Sequence, residues 1–275
     1  MQERDYFRLK SRRLILESLL FFFLAGGAGI SALDVFAQKP AVITISAAIS
    51  LKDALDELGH IYESGHPGSK LAFNYGGSGT LQRQIEQGAP VDLFFSAAEK
   101  PMDELAAKDL VDTKTRHDIV ANTLVLIAPA ASSAMKDFHD LTRADVKIIA
   151  LGEPNTVPAG MYGKQTLQHM NLFDAVEKKI VYAKDVRAVL TYVETGNADA
   201  GLVYLTDAKM SHTVRVVATA PADSHDPIVY PAAVLKNSQN AQAARNFLEF
   251  LEQSDAREVF QKYGFVSAKI SALKK

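Results

Sequence analysis

The 275-residue chain has no cysteine. That excludes disulfides, thiolate metal sites, a cysteine nucleophile and a lipid anchor attached through cysteine. Excess positive charge is also missing: 30 Lys/Arg stand against 32 Asp/Glu, a formal charge of −2, which excludes the broad basic footprint of a nucleic-acid binder. The main apolar run, Leu19–Leu33, is glycine-rich and shorter than the roughly 20 residues a membrane-spanning helix needs. There is no low-complexity stretch and no solenoid-type repeat. The seven histidines show no metal-ligand spacing, and Gly76-Gly77-Ser78-Gly79 is not followed by the lysine of a nucleotide phosphate loop. With 48% hydrophobic residues, the chain can bury one large core or two moderate ones.

The N-terminus reads as an export signal. Arg8, Lys10, Arg12 and Arg13 precede the apolar run, and Val35-Phe36-Ala37 supplies the small residues a peptidase reads, so residues 1–37 are expected to be a signal peptide cleaved after Ala37. Its removal leaves 25 Lys/Arg and 28 Asp/Glu, a soluble exported protein of net charge about −3.

What is present is a repeated junction: an apolar strand, a short uncharged Gly/Ser segment, then an amphipathic helix. In Ala41–Leu55, Val42, Ile43 and Ile45 form a strand run, and Leu51, Ala54, Leu55, Leu58, Ile61 and Tyr62 repeat at helical spacing. Ser50 stands at the junction with Asp53 three residues on, the pattern of a capping box. Leu71–Gly88 repeats the arrangement, with Ser78 and Thr80 at the helix start and Gly88 at its end. A helix start leaves backbone N–H groups unpaired at the positive end of the helix dipole, so several aimed at one point bind an anion without a cationic side chain.

Further strands are expected at Val91–Ala97, Asn122–Ala128, Lys147–Leu151, Lys179–Ala183, Ala200–Leu205, Val214–Ala218 and Ile228–Leu235. Helices are expected at Met102–Leu110, at Pro158–Met170 after a Val-Pro-Ala turn, behind Asp185 along Val186, Val189, Leu190 and Val193, and from Asn240 to Tyr263. This alternation predicts an α/β fold of two lobes, each a doubly wound, mostly parallel sheet flanked by helices, with ligand at the carboxyl ends of the strands. The chain is expected to cross between lobes near Ala121–Leu124 and Tyr230–Ala233. That gives lobe 1 residues 38–121 and 231–275, and lobe 2 residues 122–230.

The segments AAISLKDAL, GGSGTLQRQIEQGAPVDLFFSA, GEPNTVPAGMYGKQTL, KDVRAVLTYVETG, AGLVY, PADSH and FQKYGF occur in an order that resembles the molybdate-binding proteins of bacterial ABC importers, over about residues 40–267. The resemblance implies the periplasmic-binding-protein fold, a periplasmic location, and a molybdenum or tungsten oxyanion held in the interlobe cleft. It places the ligand positions on Ser50 and Ser78 in the first lobe, and on Ala159, Val186 and Tyr204 in the second. It further implies a monomer without cofactor whose partner is a membrane permease. One departure is Gly76-Gly77-Ser78-Gly79, which keeps a single hydroxyl where the family has a serine-rich loop.

The chemistry of the five residues agrees. Ser50 and Ser78 offer a hydroxyl and an N–H at helix starts, Ala159 and Val186 can offer only first-turn N–H groups, and Tyr204 ends an apolar strand with a phenolic O–H. Taken singly, such serines are commonly caps and such a tyrosine a core residue. The alternatives are a binder of sulfate or another tetrahedral oxyanion and, more remotely, an exported serine hydrolase. Gly76–Thr80 misses the GxSxG nucleophile elbow at its last position. The expectation is therefore a binding protein, not an enzyme.

Overall fold

The β-branched run Val42-Ile43-Thr44-Ile45 lies within β1 (Ala41–Ala48), and Ala54, Leu55, Leu58 and Tyr62 form the buried face of α1 (Lys52–Gly65). The structure is a computed structural model that describes residues 41–268. The expected signal peptide, 1–37, lies outside the described residues.

Six strands build one sheet: β1, β2 (Ser69–Gly76), β3 (Leu93–Phe95), β4 (His117–Ala121), β10 (Val229–Val234) and β11 (Val266–Ser267), in the order β11-β4-β10-β3-β1-β2. β5 (Leu124–Pro129), β6 (Ile149–Gly152), β7 (Ile180–Ala183), β8 (Ala200–Tyr204) and β9 (Val214–Thr219) build the second, in the order β7-β6-β8-β5-β9. The helices are α2 (Ser78–Glu86), α3 (Glu99–Ala107), α4 (Pro158–His169), α5 (Phe173–Val176), α6 (Val186–Glu194), α7 (Leu205–Lys209), α8 (Ala241–Leu251) and α9 (Ser254–Lys262). This is the two-sheet α/β architecture the alternation predicts.

Each sheet is mixed rather than mostly parallel. β2-β1-β3 and β7-β6-β8 are parallel, with Ile45 opposite both Phe73 and Leu93, and Ala150 opposite both Val181 and Gly201. β10 and β4 continue the first sheet antiparallel, and β5 and β9 the second. For β10 and β5, which enter from the other sheet, the cause is the crossover. A strand arriving from the other sheet has no helix to carry it back to the parallel start, so it enters running the opposite way. The outgoing and returning segments lie side by side, with Asn122 N–H donating to Ile228 O at 3.1 Å and Ala121 paired with Val229.

One buried cluster runs through both sheets and includes Ile45, Phe95, Leu126, Leu151, Leu202 and Tyr230. A smaller one packs α2 and α3 onto Phe94 through Leu81, Ile85, Met102 and Leu105. The parallel strands of both sheets end on the same cavity, and this places the site.

Candidate anion site

Ser50, Ser78, Ala159, Val186 and Tyr204 all line one cavity between the two sheets, and none of the residues lining it has a charged side chain. Their exposures are 4%, 0%, 1%, 3% and 1%, so the cleft is shut over them. Each stands at or beyond the carboxyl end of a parallel strand. Ser50 follows β1 and Ser78 follows β2. Ala159 comes after β6, Val186 after β7, and Tyr204 is the last residue of β8. A surface groove at the opposite edge of the first sheet, around Val42 and Thr44, is dominated by Asp92, whose carboxylate already accepts from Thr44 N–H and Ser238 Oγ.

Local sequence sets three of the five donors. Asp185 caps α6, its carboxylate accepting from Ala188 N–H at 2.8 Å, which leaves Val186 as the first helical residue. Pro158 opens α4 with its fixed φ, and Ala159 follows it in the first turn. Ser78 is the first residue of α2, capped by Gly77 without a side-chain bond. Among the described residues no acceptor is bonded to the N–H of Ser78, Ala159 or Val186. Three helix starts therefore point free donors and positive dipole ends at the cavity.

The expected capping box of Ser50 and Asp53 does not form. A 3-10 turn, Ile49–Leu51, precedes α1, and Leu51 occupies the cap position without a side-chain bond. Ser50 Oγ instead lies 3.0 Å from the buried Tyr230 Oη, and Asp53 turns to Arg187. A buried phenol costs free energy unless it is partnered, and Ser50 meets that demand. Asn122 Nδ2 donates to the same phenol oxygen at 3.1 Å and to Thr206 Oγ1 at 2.9 Å. Ser78 Oγ accepts from Ala97 N–H at 2.9 Å, which leaves its own proton for a ligand. Tyr204 Oη is buried without a partner, and its ring lies 5.8 Å from that of Tyr230. Burial pushes both phenols well above the usual tyrosine range, so both keep their protons.

Glycine makes the close approach possible. Gly79 N–H donates to Thr156 O of the second sheet's side at 3.0 Å, and a Cβ at position 79 would stand 2.8 Å from Thr156 Cα. At Gly160 a Cβ would meet Gly152 O at 1.9 Å, so only glycine lets α4 lie against the end of β6 and hold Ala159 over the cavity. The Gly-Gly-Ser-Gly loop thus exchanges hydroxyls for contact with the opposite lobe. Tyr230, Asn122, Ala97 and Thr156 escaped sequence reasoning, because each acts through a partner at least 19 positions away.

Two α/β sheets that close on a cavity of neutral hydrogen-bond donors define a ligand-capturing binding protein. The chain belongs to the bacterial extracellular solute-binding protein family, whose model matches residues 43–266. It is 44% identical to the putative ABC transporter substrate-binding lipoprotein YvgL of Bacillus subtilis, over 94% of this chain and 99% of that protein. It is 41% identical to the molybdate-binding protein ModA of Haemophilus influenzae, over 82% of this chain and 90% of that protein. The solved periplasmic molybdate-binding protein of Azotobacter vinelandii superposes with a TM-score of 0.73 at 26% identity, covering 82% of this chain and 98% of that one.

Proposed function

We propose that this chain captures molybdate, and tungstate in the same way, and delivers it to the permease of an ABC importer. It acts as an exported, periplasmic, cofactor-free monomer rather than as an enzyme, with residues 38–121 and 231–275 as one lobe and 122–230 as the other. The observation that carries the reading is the cavity itself: five uncharged donor positions from both sheets, three of them at helix starts, with no acid or base among them. Its molybdate-binding relatives suggest the ligand.

In the open form the anion meets Ser50 and Ser78. Closure then brings the N–H groups of Ala159 and Val186 and the phenol of Tyr204 onto the remaining oxygens and excludes water. Burying a dianion is costly, and charge-assisted hydrogen bonds of roughly 1.5–3 kcal/mol each offset that cost. The donors are neutral, so none is left as a stranded charge when the ligand leaves.

The direction of the hydrogen bonds sets the selectivity. Ser78 Oγ is already filled by Ala97 N–H and Ser50 Oγ faces Tyr230, so the cavity offers donors and few acceptors. An oxyanion carrying no proton fits it, whereas phosphate at neutral pH brings a proton that needs an acceptor. Selectivity over sulfate rests on size: its shorter bonds bring its oxygens closer together, and a donor ring set for the larger ion would leave them underbonded. Neither serine is hydrogen-bonded to a histidine among the described residues, which supports capture over hydrolysis.

Calorimetric titration with molybdate, tungstate, sulfate and phosphate tests the reading. Molybdate and tungstate should bind and raise the melting temperature, while sulfate and phosphate at equal concentration should do little. Tightest binding to sulfate would overturn the ligand assignment.

A further inference from the structure

Arg187 follows the candidate donor Val186 and spans the cleft beside the cavity. Its Nε lies 2.5 Å from Oδ1 of Asp207 on α7, and its Nη2 lies 2.5 Å from Oδ2 of Asp53 in the first turn of α1. Asp207 is fully buried and sits on the same side of the cleft as Arg187, because α6 and α7 both pack around the second sheet. Asp53 is on the other side, three residues beyond Ser50. Ser50 lines both the anion cavity and the small pocket that holds Asp53 and Arg187.

Two carboxylates near a site for a dianion work against binding through Coulomb repulsion, so their presence calls for an explanation. The partners supply one. Arg187–Asp207 lies within one lobe and survives opening; Arg187–Asp53 crosses the seam and exists only when the lobes meet. An exposed ion pair ordinarily contributes little, because two long side chains must be immobilised to form it. Here Asp207 already immobilises the guanidinium, and Asp53 is 32% exposed and short, so little further order is lost when the crossing pair forms.

We infer that Arg187 is a closure-positioning residue, held by Asp207 on its own lobe and engaging Asp53 only in the closed form. It thereby keeps the Val186 and Ser50 donors at the separation the bound oxyanion bridges. The inference rests on the proposed anion capture and adds a device that slows release.

Stopped-flow measurement of molybdate binding by tyrosine fluorescence, backed by calorimetry on the full chain, tests it. The variants are Asp53→Asn, Arg187→Gln and the two combined. Asp53→Asn is decisive because it leaves the buried Arg187–Asp207 pair intact and keeps the fold. It should release molybdate about tenfold faster with association nearly unchanged, and the double variant should be no worse than the more affected single one. A merely electrostatic role predicts the reverse, since removing a negative charge near a dianion tightens binding. Parent-like or slower release in Asp53→Asn overturns the latch while leaving anion capture standing. If the parent binds none of molybdate, tungstate, sulfate or phosphate, the functional reading fails and the latch with it.

Discussion

Ser50 Oγ and Tyr230 Oη lie 3.0 Å apart although 180 positions separate them in the chain. Asn122 also donates to that phenol oxygen, and either hydroxyl of the Ser50–Tyr230 pair can be the donor; with Tyr230 donating, the Ser50 proton is free to point into the cavity. An oriented hydroxyl is a better donor to an anion than a freely rotating one, since no rotor freedom is lost on binding.

Tyr230→Phe removes that orientation while keeping the ring, which packs against Tyr204 and edge-on against Phe265. Molybdate affinity should fall about tenfold, or ~1.4 kcal/mol, with little loss of secondary structure. Ser50→Ala made in the Tyr230→Phe background should then cost less than Ser50→Ala alone, because the two residues act as one donor. Full additivity in calorimetric titrations would refute the coupling.

Gly79→Ala tests closure directly. The new methyl would meet Thr156 backbone atoms at 2.8 and 3.1 Å, which cannot swing aside as a flexible side chain would. Gly79 is in the first turn of α2, where alanine is a better helix former. The ligand-free variant should therefore melt no earlier than the parent, while molybdate affinity drops at least tenfold. Unchanged affinity would show that the lobes do not need this approach to hold the anion.

Val186 should act through its backbone. Val186→Ala keeps the N–H and should bind within a few-fold of the parent. Val186→Pro suits the first helical position but deletes the donor, and should lose roughly 1.5–3 kcal/mol of binding while keeping its circular dichroism. Equal losses in the two variants would mean that the side chain, not the N–H, is what matters.

Asp207 gives a pH signature. Burial pushes its carboxyl up to about 6, against the pull of Arg187. The folded pKa lies above the unfolded one, so the folded state holds the proton longer. This group's contribution to stability is greatest below about pH 4, falls as pH rises toward 6, and is level above that. In urea melts at a series of pH values, the stability of the parent relative to Asp207→Asn should decline across that window by an amount on the order of 2–3 kcal/mol. A difference that is flat from pH 4 to 6.5 would show that the carboxyl is not raised.

Legibility differed from element to element. Val186, Val189, Leu190 and Val193 behind Asp185 were readable as a capped helix because capping and the 3.6-residue stripe act within a few residues, and α6 forms as expected. β4 went unread. His117 and Asp118 are exposed and only Ile119-Val120-Ala121 is apolar, so the segment is a strand chiefly because β10 and β11 flank it. The two residues of β11 are likewise defined by their neighbour. Ser50 carried a misleading local signal: a serine with an acid three residues on looks like a cap until a buried phenol and an arginine claim the two side chains.

The sequence by itself determined most of the strands and helices, the helix starts that leave free N–H groups, and the neutral character of the donors, because propensity, capping and side-chain chemistry are short-range. Only the tertiary structure decided that each sheet is mixed and that Tyr230 meets Ser50. It alone also shows that Gly79 admits Thr156 and that Arg187 reaches Asp53. Those pairings depend on the chain leaving the first sheet after Ala121 and rejoining it at Val229. Contacts closed over so many residues leave no periodic trace in the sequence, since what selects them is the packing of two sheets around a shared core.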